Sequence, residues 1–95
     1  MKIVLTETAS KSFDEIINRY SEIKASVFAI ETISVIAIIQ SNNLIGAVHK
    51  KTSYRKLLIS EQVYLFYKIN TEFIYITLFW DNKRNPLDLE IILCS

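Results

Sequence analysis

The spacing of apolar side chains near the start of the chain predicts a short strand followed by an amphipathic helix. Residues 2–6 are mostly apolar and strand-like. The apolar residues after them recur at intervals of three, four or one, with polar residues between, which is typical of one helix face (Phe13, Ile16, Ile17, Tyr20, Ile23). This helix begins either with Thr8 as its N-cap or one turn later, where Ser12 and Glu15 would form a capping box.

Residues 24–40 are predicted to form a second helix, which would pair with the first as a helical hairpin. Apolar residues occupy most positions from 27 to 39 and therefore cover more than one stripe of a helix. Such a helix is either central in the core or contacts another chain. So many isoleucines and valines also suit a buried strand, and periodicity leaves both interpretations open for residues 27–39.

Three strand-like runs follow a polar connection that ends at Ser53. They span residues 54–59, 62–69 and 72–80, and only two polar residues separate the last two, which is hairpin spacing. Strict alternation would place four side chains of the third strand-like run on one face (Ile74, Ile76, Leu78, Trp80). Both faces of this meander carry apolar groups, so we expect helices to cover one face and another part of the molecule to cover the other.

The resulting order, β-α-α-β-β-β, predicts an α+β fold with a helical hairpin packed on a small, mainly antiparallel sheet. Residues 87–93 add either one or two helical turns or a further strand. A chain of 95 residues fits a single domain spanning residues 1–95. Hydrophobic residues make up 51% of the chain, and one glycine and one proline argue against disorder.

The sequence predicts a cytoplasmic protein without a membrane partner. The apolar run after Lys2 is too short for a secretory signal, and residues 27–39 are too few to span a bilayer. Cys94 is the only cysteine, so no internal disulfide can form, as is usual in a reducing compartment. We find no metal-ligand spacing and no glycine-rich phosphate loop, so neither a metal nor another cofactor is expected. Lone His49 has no cysteine or acidic constellation that would predict a general base.

Positive charge is concentrated in the C-terminal half of the chain. The net charge is +1, but residues 49–86 carry seven cations against three acids. The third strand-like run ends in Asp81-Asn82-Lys83-Arg84-Asn85-Pro86, directly after Trp80. Such an excess of cations suits RNA, DNA or an acidic partner, although it also fits an ordinary solvated face. Trp80 would either stack on a target or belong to the core.

The order of elements and four sequence segments resemble the RelE/ParE superfamily of toxins from bacterial type II toxin–antitoxin modules. The last segment looks like the aromatic-Trp-Asp-x-Arg-x-Asn-Pro ending of one branch. The segments are Thr6–Phe13, Tyr54–Leu57, Tyr64–Ile69 and Phe79–Pro86. The resemblance implies a toxin that arrests growth in plasmid stabilization or a stress response. It also implies a cognate antitoxin that wraps the toxin, in a heterotetramer or larger complex.

Two activities occur in the superfamily, and the sequence favours one of them. RelE-like members cut mRNA at the ribosome without a metal, and here they would use Arg55, Tyr64 and Arg84 as catalytic residues. However, Leu57 stands where the next inward-facing cation is expected, and Tyr64 replaces an arginine, so most of the catalytic set is missing. We therefore expect ParE-like poisoning of DNA gyrase, or a related binding activity without catalysis, and keep mRNA cleavage as the alternative.

The expected target-binding residues all lie in the C-terminal half of the chain. The sequence predicts that Arg55 and Arg84 meet in one cationic corner of the sheet. The full set is Arg55, Lys56, Trp80, Lys83 and Arg84. A second alternative is a non-toxic interaction module that dimerises through the apolar second helix.

Overall fold

The computed structural model describes residues 1–94, which form a five-stranded mixed sheet with helices on both faces. The sheet order is β1-β5-β4-β3-β2, in which β1 is parallel to β5 and every other neighbour is antiparallel. In chain order the elements are β1 (Lys2–Leu5), α1 (Glu7–Asn18), α2 (Glu22–Ser41), β2 (Ala47–Val48), β3 (Tyr54–Leu58), β4 (Val63–Ile69), β5 (Phe73–Asp81) and α3 (Pro86–Cys94). The predicted α+β class is confirmed.

Helix α1 begins earlier than predicted because Thr6 has two roles. Its hydroxyl oxygen accepts a hydrogen bond from Ala9 N at 3.2 Å and donates one to Ile76 O at 3.1 Å. Thr6 therefore caps α1 and also fastens its start to β5. The predicted caps at Thr8 and Ser12 are wrong. Ser12 is buried and accepts a hydrogen bond from Phe79 N at 3.0 Å, which anchors the middle of α1 to the sheet.

Residues 27–39 are helical, since they lie within α2 (Glu22–Ser41). Ser21 caps this helix by accepting a hydrogen bond from Lys24 N at 3.2 Å. Only Phe28, Thr32 and Ile39 of α2 are buried. The helix therefore packs at the margin of the core, and much of its apolar surface remains exposed. No helix within residues 1–94 combines the length and the hydropathy needed to cross a membrane.

The sheet separates two apolar clusters. The larger cluster lies between the sheet and the α1–α2 hairpin and contains Leu65 and Tyr67 of β4. The smaller one lies on the opposite face, where Leu89 and Leu93 of α3 cover Phe66 and its neighbours. The tail predicted as helical turns or a strand is thus the helix that covers the second face.

A β-bulge reverses the side-chain alternation of β5. Phe66 lies opposite Leu78 and the next residue, Tyr67, lies opposite Ile76, so Thr77 is the extra residue. The Thr77 hydroxyl donates a hydrogen bond to Phe66 O at 3.0 Å and fills the gap. The predicted common face of Ile74, Ile76, Leu78 and Trp80 is therefore wrong. Leu78 and Trp80 belong to the α3 cluster, whereas Ile76 belongs to the hairpin cluster.

The loop between α2 and β2 is held against the Tyr67 side chain. The Tyr67 hydroxyl accepts a hydrogen bond from Gly46 N at 2.9 Å and donates one to Asn43 O at 2.7 Å. A Cβ atom at Gly46 would lie 2.7 Å from both the ring and the hydroxyl of Tyr67. Only glycine therefore permits this close approach.

Gly46→Ala should destabilise the protein by about 1–3 kcal/mol, because the added methyl group overpacks the loop and disturbs the Tyr67 hydrogen bonds. Urea unfolding followed by circular dichroism measures the change. Ala47→Ser, at the exposed neighbouring position, is the control and should stay within about 0.5 kcal/mol of the wild type. Equal urea midpoints for Gly46→Ala and the wild type would disprove the close approach.

Candidate functional site

The face of the sheet that carries α3 combines lysines with tyrosines. In the β3–β4 pair Tyr54 lies opposite Lys68 and Lys56 lies opposite Phe66, and directly opposed residues share a face. Phe66 belongs to the α3 cluster, so this face is the one away from the helical hairpin. We refer to its polar and aromatic part as the cation–aromatic face, which consists of Tyr54, Lys56, Tyr64, Lys68 and Tyr75.

Aromatic rings position both lysines of the cation–aromatic face. The Lys68 Nζ atom lies 4.8 Å from the centroid of the Tyr54 ring, and the Lys56 Nζ atom lies 5.2 Å from that of Tyr64. Neither lysine forms a salt bridge within residues 1–94. Both ammonium groups can therefore receive an anionic partner without giving up a carboxylate.

Arg55, one of the predicted target-binding residues, lies on the opposite face, so the predicted corner shared with Arg84 is wrong. It is paired with Tyr67, which belongs to the hairpin cluster. Its Nη1 atom donates hydrogen bonds to Gly46 O at 2.7 Å and Leu44 O at 3.2 Å, so its guanidinium fastens the α2–β2 loop. Because side chains alternate along β3, the cation on the α3 side is Lys56.

Trp80 and Arg84 lie together at the end of β5. The Arg84 guanidinium carbon lies 4.5 Å from the centroid of the Trp80 ring. Trp80 is 2% exposed within the α3 cluster, so its ring is not open for stacking on a target. Lys83 is exposed, and its backbone N–H donates to Asp81 Oδ1 at 2.9 Å. The structure thus groups Arg84 with Trp80 and Lys83 and does not bring Arg55 to them.

A buried histidine beside this face was not predicted from the sequence. His49 is 4% exposed and packs edge-on against Phe66, with ring centroids 5.2 Å apart. Its Nε2 atom lies 3.1 Å from Glu90 Oε1, and Lys50 Nζ lies 2.8 Å from the same oxygen. The His49 Nδ1 atom is buried and has no hydrogen-bond partner within residues 1–94. His49 therefore joins α3 to the sheet through Glu90 and is not open to a ligand.

Hydrogen bonds from Lys50 and, to a smaller extent, His49 lower the pKa of the Glu90 carboxyl below its ordinary value of 4.5. A carboxyl with a lower pKa in the folded state stabilises the fold above its unfolded pKa, and this stabilisation is lost as the pH falls through the folded pKa. Glu90→Gln should therefore be less stable than the wild type at neutral pH. This difference in stability should disappear in acid, below the pKa of Glu90 in the folded protein.

Thermal unfolding of both proteins across this pH range tests the expectation. Glu72→Gln, at an exposed position in the β4–β5 turn, controls for the loss of one negative charge. A constant difference between Glu90→Gln and the wild type at every pH would contradict the role of the carboxylate.

The fold of this chain is similar to that of a solved protein structure, although its sequence matches no known family. No family model and no curated protein matches the chain. Among solved structures, YafQ from E. coli strain BL21(DE3) is similar with a TM-score of 0.63 and 12% identity, over 86% of this chain and 93% of that one. A YafQ mutant from E. coli (TM-score 0.62) and the E. coli DinJ–YafQ complex (0.58) match with the same identity and coverage.

These structures define the class of fold to which the chain belongs. At 12% identity the likeness concerns the backbone arrangement: three helices packed on a five-stranded mixed sheet. The chain has the RelE-like fold of YafQ, as the resemblance to the RelE/ParE superfamily implied.

Proposed function

We propose that this protein is the toxin of a type II toxin–antitoxin module and that it acts on RNA. Two independent observations support a toxin: the sequence segments that resemble RelE/ParE toxins and the fold shared with YafQ. The DinJ–YafQ complex supports a protein partner for this fold, and the corresponding partner here is a cognate antitoxin.

The cation–aromatic face is the observation that carries the choice of RNA. Proteins that bind single-stranded nucleic acid combine cations that contact the backbone with aromatic rings on which bases stack. Lys56 and Lys68 supply unpaired cations, and Tyr54, Tyr64 and Tyr75 supply rings on the same face. RNA cleavage was disfavoured because Leu57 and Tyr64 stand where the resemblance implies cations. The pairing of β3 with β4 supports RNA at one of these positions, since it brings Lys56 and not Leu57 to this face.

We infer that the same face supplies groups for RNA cleavage. In such a reaction the 2′-oxygen attacks the adjacent phosphorus and the bond to the 5′-oxygen breaks. One proton leaves the 2′-hydroxyl and another reaches the 5′-oxygen, so no redox partner is needed. Lys56, Lys68 and Arg84 would stabilise the negative charge that develops on the phosphate, while Tyr64 and solvent water would move the protons.

Expression of the protein alone and together with its neighbouring gene product tests the toxin assignment. Growth should stop when the protein is expressed alone and should continue when a small adjacent gene product is present and binds it. Normal growth in cells that contain soluble, folded protein would refute the assignment.

Poisoning of DNA gyrase is a second candidate, and the position of α3 favours it. Helix α3 covers the apolar centre of the second face, and Leu87 and Ile91 are exposed on that helix. Exposed aliphatic groups suit a protein target better than a phosphate backbone. In this case purified protein should inhibit DNA supercoiling by gyrase, and transcripts should stay intact during growth arrest. Unaffected supercoiling together with cleaved transcripts would exclude the candidate.

A further inference from the structure

Helix α2 presents an uncharged, largely apolar face to solvent. Its large aliphatic side chains include Ile23, which is 80% exposed, Ile30, which is 66% exposed, and Ile33, which is 69% exposed. Val27 is half exposed on the same side. Single exposed aliphatic residues are ordinary, but a contiguous stripe marks an interaction surface. This stripe is therefore a candidate contact between protein chains.

The residues of this face are arranged almost symmetrically about Ile30. Positions three, four and seven residues away on either side of a helical residue share its face. On each side of Ile30, an aliphatic residue stands three positions away and a serine stands four positions away. Seven positions away, one side has the large isoleucine and the other the small alanine. The pairs are Val27 and Ile33, Ser26 and Ser34, and Ile23 and Ala37.

All seven residues of this set are exposed, and none of them is charged. We refer to them as the palindromic face of α2. The three charged residues of the helix, Glu22, Lys24 and Glu31, lie outside it. Steps of three and four residues between its aliphatic members match the seam of two helices that pack along each other. The palindromic face itself therefore brings no charge into a helix contact, and Glu22 borders it beside Ile23.

We propose that the palindromic face binds a second copy of this chain, with the two α2 helices antiparallel about a two-fold axis at Ile30. With this axis, a residue a given number of positions before Ile30 in one copy lies opposite the residue the same number of positions after Ile30 in the other copy. Val27 then packs on Ile33 of the partner subunit, and Ser26 lies beside Ser34 of the partner subunit. Ile23 fits the space above the small side chain of Ala37 of the partner subunit.

The near-palindrome favours a second copy over an unrelated helix. A helix of a different protein imposes no symmetry on the surface that receives it, whereas a two-fold axis requires self-complementarity. The two small serines let the helix axes approach closely at both sides of Ile30. Helix α2 packs on the side of the sheet opposite the cation–aromatic face, so the inference does not depend on the proposed function.

Sedimentation velocity over a range of protein concentrations tests the dimer. The wild type should dimerise reversibly, and Ile30→Lys should raise the dimer Kd at least about tenfold, because two like charges would meet at the axis. Ile91→Lys is a matched control, since Ile91 is a helical isoleucine with 67% exposure, and it should leave the Kd unchanged. A wild type that stays monomeric at every concentration would overturn the proposal.

Cysteine cross-linking in a Cys94→Ser background tests the orientation and does not require Ile30→Lys to fold. Ile30→Cys should form a disulfide with its own copy. Ser26→Cys should not do so, since its two copies would lie roughly 12 Å apart along the helices. Mixed Ser26→Cys and Ser34→Cys proteins should cross-link with each other. Efficient cross-linking of Ser26→Cys to itself would indicate parallel helices and refute the two-fold arrangement.

Discussion

Replacing Lys56 and Lys68 together by alanine should abolish growth arrest while the protein stays folded. Both ammonium groups lie on the cation–aromatic face without a salt-bridge partner, so they are free to bind phosphate. Loss of a single group that stabilises charge in the transition state costs about 10²–10³ in rate in well-studied enzymes. We therefore expect the double variant to lose at least about a hundredfold in RNA cleavage. Induction of each variant in culture measures growth arrest, and circular dichroism checks the fold.

Lys24→Ala provides a matched control for this experiment. The Lys24 Nζ atom also lies over a tyrosine ring, 4.3 Å from the centroid of Tyr20, but that contact is on the α1–α2 hairpin. The variant removes one lysine charge and one cation–π contact, against two of each in the double variant, and it does so away from the cation–aromatic face. Full toxicity of Lys24→Ala is expected. Equal toxicity of all variants would show that the cation–aromatic face does not bind the target.

Leu89→Ala should destabilise the protein by about 2–5 kcal/mol. The Leu89 side chain is buried in the smaller cluster with Phe66, Leu78 and Trp80, and its truncation leaves a cavity beneath α3. A domain of this size has only about 5–15 kcal/mol of total stability, so the unfolding midpoint should fall markedly. Urea unfolding monitored by tryptophan fluorescence measures the loss, since Trp80 lies in the same cluster.

Leu87→Ala is the natural control because Leu87 lies on the same helix and is exposed. It should change the free energy of unfolding by no more than about 0.5 kcal/mol. If both leucine variants unfold at the same urea concentration, α3 does not pack on the sheet as described. The comparison therefore tests the position of the helix that limits access to the centre of the second face.

Much of the fold follows from patterns that the sequence shows directly. The alternation of β4 depends on local chemistry and is present in the structure. The β4–β5 hairpin is present as well, but its turn lies one residue later than Asn70-Thr71, because Asn70 N donates a hydrogen bond to Phe73 O across Thr71 and Glu72. The order of the first strand, the two helices and the three-stranded meander was likewise predictable. The short strand β2 was not, because it lies in a segment that the sequence predicts to be a polar connection. The face of β5 was not, because the bulge at Thr77 inserts a residue that alternation cannot reveal.

The candidate site was less accessible to sequence reasoning than the fold. Whether Arg55 or Lys56 points away from the α1–α2 hairpin depends on the pairing of β3 with β4, which fixes the face of every side chain. The contact between His49 and Glu90 joins residues 41 positions apart, and no spacing signal links them. Such a contact exists only because α3 folds back over the sheet.

Mapping of mRNA 5′ ends in growing cells tests the action on RNA most directly. After induction of the wild-type protein, primer extension on a translated transcript should reveal new internal ends. These ends should disappear when the start codon of that transcript is removed, and they should be absent with the Lys56→Ala/Lys68→Ala variant. Intact transcripts in cells whose growth has stopped would contradict an action on RNA.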